Sequence, residues 1–239
     1  MGDLQTQDTW TMNVALSRKR SRLAIDEDDD IPPRREPSPA LSPLGDTLKK
    51  SKTQCELEEL DIIRPEEAWH IDVDAILASN ALASPPGSAL EPHSNWAKYQ
   101  RGASTTILCV QGNVQTHYEL LCSALPDLYR IAPSLQAFVL CHDPSTHVLS
   151  PDAPFSLPLL QAASPPNNHF VRLGLLHPLG GGKFPLDALV VIDRHARRRL
   201  VLPFGWGAGK HATTPAGRSI QRGLMTLLRT CVEQLELDR

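Results

Sequence analysis

Two short apolar runs, TTILCV at residues 105–110 and LQAFVLC at 135–141, bracket a stretch with helical spacing, and this arrangement restricts the fold more than any other feature. Neither run alternates with polar residues, so each fits a strand buried on both faces. Between them Tyr118, Leu121, Leu125, Leu128 and Tyr129 recur at helical intervals across residues 114–132. A strand, a helix and a second buried strand make a βαβ unit, for which a right-handed crossover is expected. Pro126 lies inside the helical stretch and predicts a kink or a restart there.

Downstream, Pro/Ser-rich sequence at 143–168 holds one apolar run, at 155–160, and residues 170–176 and 186–192 promise further structure. The run at 186–192 is followed by Asp193-Arg194-His195-Ala196-Arg197, a turn into residues 199–203, which together read as an antiparallel hairpin. The last segment is the clearest helix. Pro215 suits its first turn, and Ile220, Leu224, Leu227, Leu228, Cys231, Val232 and Leu235 share one face that should cover a sheet. The order β-α-β, a connection, then β-β-α is that of the thioredoxin fold. The expected class is therefore α/β, a single domain with a central mixed sheet flanked by helices.

Charge divides the chain. Residues 1–100 carry 11 Lys/Arg against 18 Asp/Glu, a net of −7, whereas residues 101–239 carry 13 against 9, a net of +4. The acidic part is rich in Ser and Pro and poor in aromatic residues, so it cannot bury enough apolar surface to offset a backbone entropy cost of about 1–2 kcal/mol per residue. The expected organisation is a disordered arm over 1–55, a linker with a short amphipathic helix over 56–100, and the α/β domain over 101–239. In the arm, Arg18, Lys19, Arg20 and Arg22, then Lys49, Lys50 and Lys52, form basic clusters like those of a nuclear localisation signal, although short basic runs also serve simply as solvated charge. Ser38 and Ser42 each precede proline, and Ser21 follows Arg18 at the spacing read by basophilic kinases. A phosphate at any of the three would add about −1.5 to −2 charge beside these basic groups and weaken them. The five cysteines form no C-x-x-C and no zinc spacing, which fits a reducing compartment, nuclear or cytoplasmic. No apolar stretch approaches the ~18–20 residues of a membrane helix, so no membrane association is expected.

Within the linker, Pro65 precedes a stretch at 66–82 in which Trp69, Val73, Ile76 and Leu77 fall on one helical face. Such a helix either docks a protein partner or packs back on the domain as a lid. The Ser-Pro-Pro-Gly break at 84–87 favours docking.

The run THYELLCSALPDLYRIAPSLQAFVLCHDP at 116–144 resembles the peroxiredoxins (alkyl hydroperoxide reductase C/thiol-specific antioxidant), in which a helix beginning near C-x-x-E leads into a strand. FVRLGL at 170–175 and ALVVID at 188–193 are similar to that family's later segments. The resemblance covers about residues 104–204 and rests on pattern and order. It implies a thiol peroxidase whose cysteine thiolate sits at a helix N-terminus, with an arginine nearby. If Glu119 matches the family's glutamate, the catalytic cysteine falls at Thr116, the preceding threonine at Asn113, the usual proline at Cys109, and the strand arginine at Asp187. A hydroxyl cannot replace a thiolate, and a carboxylate would oppose one. Cys122, on the same helix, is the remaining candidate nucleophile, against the plainer reading of a buried structural thiol.

Gly180 to Lys183 and Gly205 to Lys210 both miss the phosphate-loop spacing, and the nine histidines show no pairing that would hold a metal. No cofactor is expected. Arg194, Arg197, Arg198 and Arg199, with Arg218, Arg222 and Arg229 on the polar side of the last helix, give the domain its positive charge without interleaved aromatics, so nucleic-acid binding is less favoured than a solvated hairpin. Three functions stay open. The favoured one is a non-catalytic peroxiredoxin-like binding or regulatory protein, nuclear and phosphoregulated. The others are an active thiol peroxidase or oxidoreductase using Cys122, and a nuclear nucleic-acid-associated regulator.

Overall fold

The computed structural model describes residues 60–79, 81–82, 95–143, 147–149, 157–161, 163–164, 167–179 and 181–238. The basic clusters and Ser21, Ser38 and Ser42 of the expected arm lie outside these residues.

The βαβ unit forms as β2 (Thr106–Gln111), α3 (Thr116–Ile131) and β3 (Gln136–Cys141), with β2 and β3 parallel in the register Thr106↔Gln136 to Gln111↔Cys141. Each strand is buried along its whole length, as an unalternating apolar run requires. Helix α3 runs without a break through Pro126. Of the kink or restart expected there, the restart does not occur. A single proline removes one backbone donor, and α3 packs Leu121, Leu125 and Leu128 into the core on both sides of it.

Before this unit come α1 (Val73–Leu77), β1 (Ala81–Leu82) and α2 (Asn95–Lys98). After it come β4 (Leu159–Gln161), the small pair β5 (Ala163–Ser164) and β6 (Asn167–Asn168), and α4 (His169–Leu173). The chain closes with the antiparallel hairpin β7 (Ala188–Ile192) and β8 (Arg198–Pro203), a π-helical turn (Trp206–Lys210) and α5 (Pro215–Leu237). The main sheet has the order β1-β4-β3-β2-β7-β8. Strands β2, β3 and β4 are parallel, and β7 lies antiparallel to β2, bringing Ala188 opposite Val110. With the second strand, the first, then the hairpin across the sheet, the connectivity is thioredoxin-like.

Strand alternation divides the core into two layers. Ile107, Cys109, Val139, Val191 and Leu202 face α3 and α5, whereas Leu108, Val110, Phe138, Leu140 and Val190 face α1 and α4. Thr214 caps α5 by accepting from the Gly217 N–H at 3.0 Å, with Pro215 in the first turn.

The segment expected as a docking helix at 66–82 folds differently. Only Val73–Leu77 is helical. Ahead of it the backbone is committed to the hairpin, with Ile63 N–H donating to Arg199 O, Arg198 N–H to Trp69 O, and Ile71 N–H to Ala196 O. Val73, Ile76 and Leu77 are buried against the sheet. An apolar stripe beside an uncovered sheet face buries there, so of the two alternatives the packed-back one is realised. The folded unit accordingly takes in residues 60–79 as well as those from 101 onward. Among the described residues no helix is long and apolar enough to cross a membrane.

Candidate functional site

The parallel strands β2 and β3 end side by side, and the loop Gly112–Gln115 carries the chain from β2 into α3. This is the end of an α/β sheet where a helix N-terminus and free backbone amides gather. Antiparallel pairing of β7 on β2 brings Asp187 to the same loop. Its Oδ1 accepts the N–H of Gly112 at 2.7 Å and of Val114 at 3.1 Å, and its Oδ2 accepts that of Asn113 at 3.1 Å. Three consecutive amides thus close on one carboxylate. The approach is tight enough to require glycine: a Cβ on Gly112 would stand 2.6 Å from Pro185 O and 3.3 Å from both Asp187 oxygens. The first turn of α3 receives no side-chain cap from Gln115, so the Asp187 charge also faces the positive end of the helix.

Thr116 is the first residue of α3, the position that the resemblance assigns to a catalytic cysteine. Cys122 lies further along the helix with no exposed surface, and burial pushes its thiol up to about 11, only partly offset by a hydrogen bond from Tyr118. Burial likewise raises Cys141 to about 11 and Cys231 to about 12, and holds Cys109 well above the usual range. All four are thiols at neutral pH and paired in no disulfide.

Two buried histidines adjoin the loop. His117 donates from Nε2 to Val110 O at 2.9 Å, and burial lowers its pKa. His147 donates from Nδ1 to Gln111 Oε1 at 2.6 Å, packs edge-on against Tyr118, and is lowered by burial to about 4. Both rings are neutral at physiological pH. His147 gives no periodic signal in the sequence, since it lies inside the Pro/Ser-rich stretch at 143–168. His117 did leave a signal, since it falls four residues before Leu121 on the apolar face of α3. Beside the loop is a cleft of about 620 Å³, with Val114, His142, Phe184 and Pro185 in its walls.

Of the four expected docking residues, Val73, Ile76 and Leu77 belong to the core and Trp69 is 57% exposed. The Arg198 guanidinium stacks 4.2 Å from the centroid of the indole and donates to Leu173 O at the end of α4. Gly174, at φ +70°, lies beneath the indole, where a Cβ would come within 3.1 Å of the ring. On the same helix Val171 is also 57% exposed. The arginine group of the hairpin is consumed internally. Arg199 is buried against Asp193 and Ile63 O, Arg197 pairs with Asp193 at 2.9 Å, and Arg198 holds Trp69.

No family model matches the chain. The curated protein Uba3-binding protein but1 of Schizosaccharomyces pombe is 54% identical over 50 residues, which are 20% of this chain and 19% of that protein. The match thus spans about a fifth of that relative's length. Among solved structures, a bacterioferritin comigratory protein of Xanthomonas campestris is 10% identical, with 56% of this chain and 83% of that one covered at a TM-score of 0.36. The reduced 2-Cys peroxiredoxin of Plasmodium vivax is 15% identical over 54% and 80%, at 0.35. The AhpC of Mycobacterium tuberculosis is 13% identical over 54% and 76%, at 0.36. By strand order and helix placement the described domain is thioredoxin-like, and the solved structures it is similar to are peroxiredoxins.

Proposed function

We propose that this chain is a non-catalytic binding protein, in which a peroxiredoxin-like domain serves as a scaffold for a protein partner and the N-terminal stretch supplies nuclear targeting and phosphoregulation. The observation that carries the reading is the Asp187 carboxylate seated on the amides of Gly112, Asn113 and Val114. Amides that could stabilise a departing oxygen are occupied by a fixed anion, Thr116 stands where the thiolate is needed, and Cys122 is a buried thiol of high pKa. The partner face is the exposed indole of Trp69 on Arg198, with Val171 nearby on α4. An aromatic anchor beside a cation is the kind of group that dominates protein interfaces. A short stretch of likeness to a protein named for binding Uba3 supports a protein partner over a small substrate.

The test is calorimetric titration of the full chain with Uba3, the protein for which that relative is named. Saturable binding, weakened about tenfold or more by Trp69→Ala, is expected. No binding by the wild-type chain, together with thiol-dependent peroxide turnover, would overturn the reading.

A further inference from the structure

On the sheet face opposite α1 and α4, helices α3 and α5 leave between them a groove of about 490 Å³. Half-buried Leu120, Ala124 and Met225 line its floor beside the buried Gln221, whose amide is spent on Ala208 O at 2.8 Å, and exposed Arg218 and Arg222 stand on its rim. The residues fall in i, i+4 rows, 120/124 on one helix and 218/222 on the other, so the groove is linear and suits the ridge of a third helix. Ala124 supplies the depth.

The rim charges differ from the other arginines of these two helices. Arg130 pairs with Asp127 at 2.8 Å and Arg229 with Glu233 at 2.8 Å, each with its acid one turn away. Arg218 has Thr214 and Arg222 at four-residue spacing, and Arg222 has Arg218 and Thr226. Among the described residues their guanidinium groups reach backbone carbonyls and no carboxylate, Thr213 O for Arg218 and Arg218 O for Arg222. The first turn of α5 holds no acidic residue, and Arg218, at the end of that turn, sits where the helix dipole disfavours a cation. Glu119, the acid of α3 nearest in sequence to the floor, is not part of the groove's walls.

The geometry points to a docking groove for an acidic amphipathic helix of a protein partner, whose apolar side chains enter over Ala124 and whose carboxylates meet Arg218 and Arg222. Charge complementarity selects this occupant. A largely apolar floor with two cations on one rim that meet no carboxylate among the described residues offers nothing to a basic segment. The inference rests on the reading of the chain as a binding protein but uses a different face from Trp69.

The experiment follows methyl and amide NMR signals of the full chain during titration with a short acidic model peptide carrying Leu at helical spacing and Glu between. The same peptide with Lys for Glu serves as control. Saturable shifts at Leu120, Ala124 and Met225 are expected, weakened by salt, with affinity reduced about tenfold or more in Arg218→Glu/Arg222→Glu. Ala124→Trp, which fills the floor, is expected to abolish the shifts while far-UV circular dichroism stays unchanged. Equal binding of the Lys peptide, shifts that map elsewhere, or full binding by the double variant would overturn the groove. Measuring Uba3 binding in parallel separates the two ideas. Loss of Uba3 binding in Trp69→Ala with no peptide shifts sinks the groove alone, whereas groove binding without any Uba3 binding sinks Uba3 as the partner and leaves the groove standing.

Discussion

Replacing Asp187 with alanine removes at once the acceptor for three backbone donors. Hydrogen bonds to a charged group contribute about 1.5–3 kcal/mol each, but Asn113 is exposed and Gly112 and Val114 are half-buried, so water recovers part of the loss. Loss of the favourable charge at the start of α3 adds about 0.5 kcal/mol. The sum expected for Asp187→Ala is a destabilisation of about 2–4 kcal/mol. Asp187→Asn keeps one carbonyl acceptor and is expected to cost about half as much. The assay is equilibrium urea unfolding followed by circular dichroism and tryptophan fluorescence, with coincidence of the two probes as the check on two-state behaviour. Acetate supplies a second readout. If the three amides form an anion seat, acetate at about ten times its dissociation constant should restore about 1.4 kcal/mol to Asp187→Ala and nothing to the wild type. A loss under about 0.5 kcal/mol, or equal stabilisation of both proteins by acetate, would refute the seat.

Three further outcomes are expected. With the Cys122, Cys141 and Cys231 thiols pushed by burial up to about 11, 11 and 12 and that of Cys109 held well above the usual range, all four should react with iodoacetamide orders of magnitude more slowly in the native protein than in urea, on a Cys55→Ser background; rapid native labelling of Cys122 would contradict its burial. Because His147 and His117 are depressed in the folded state, the unfolded chain takes up their protons first. Stability should therefore be full above about pH 6.5 and decline as pH falls toward 4, less steeply in His147→Gln; a flat profile over this window would be inconsistent. Arg199→Met removes the buried partner of Asp193 and the donor to Ile63 O, leaving Arg197 to hold the carboxylate. A loss of about 3 kcal/mol in the urea assay is expected, and a neutral outcome would show that the pair holds the hairpin and residues 60–63 together less than its geometry implies.

The sheet and its two long helices were legible because their signals are local. Unalternating runs at 105–110 and 135–141 mark doubly buried strands, and the spacing of Leu224, Leu228, Cys231 and Leu235 marks a helix that covers them. What escaped depends on distant partners. The apolar residues near Val73 are periodic whether they meet another protein or their own sheet, and only the hairpin that binds Ile63, Trp69 and Ile71 decides between the two. Arg199 reads as one more charge in a basic run, yet strand alternation turns it into the core toward Asp193. Asp187 could be recognised as a carboxylate at an arginine's place. Its actual role arises from the pairing of Ala188 with Val110, which brings together residues about 75 positions apart in the chain.

The central claim, a peroxiredoxin-like domain without peroxidase chemistry, is tested most directly by the rate at which the purified, reduced full chain consumes hydrogen peroxide, compared with its Cys122→Ser variant. The filled amide loop and the buried high-pKa thiol lead to equal rates, no faster than a free thiol at the same pH. Saturable consumption by the wild type that disappears in Cys122→Ser would contradict it.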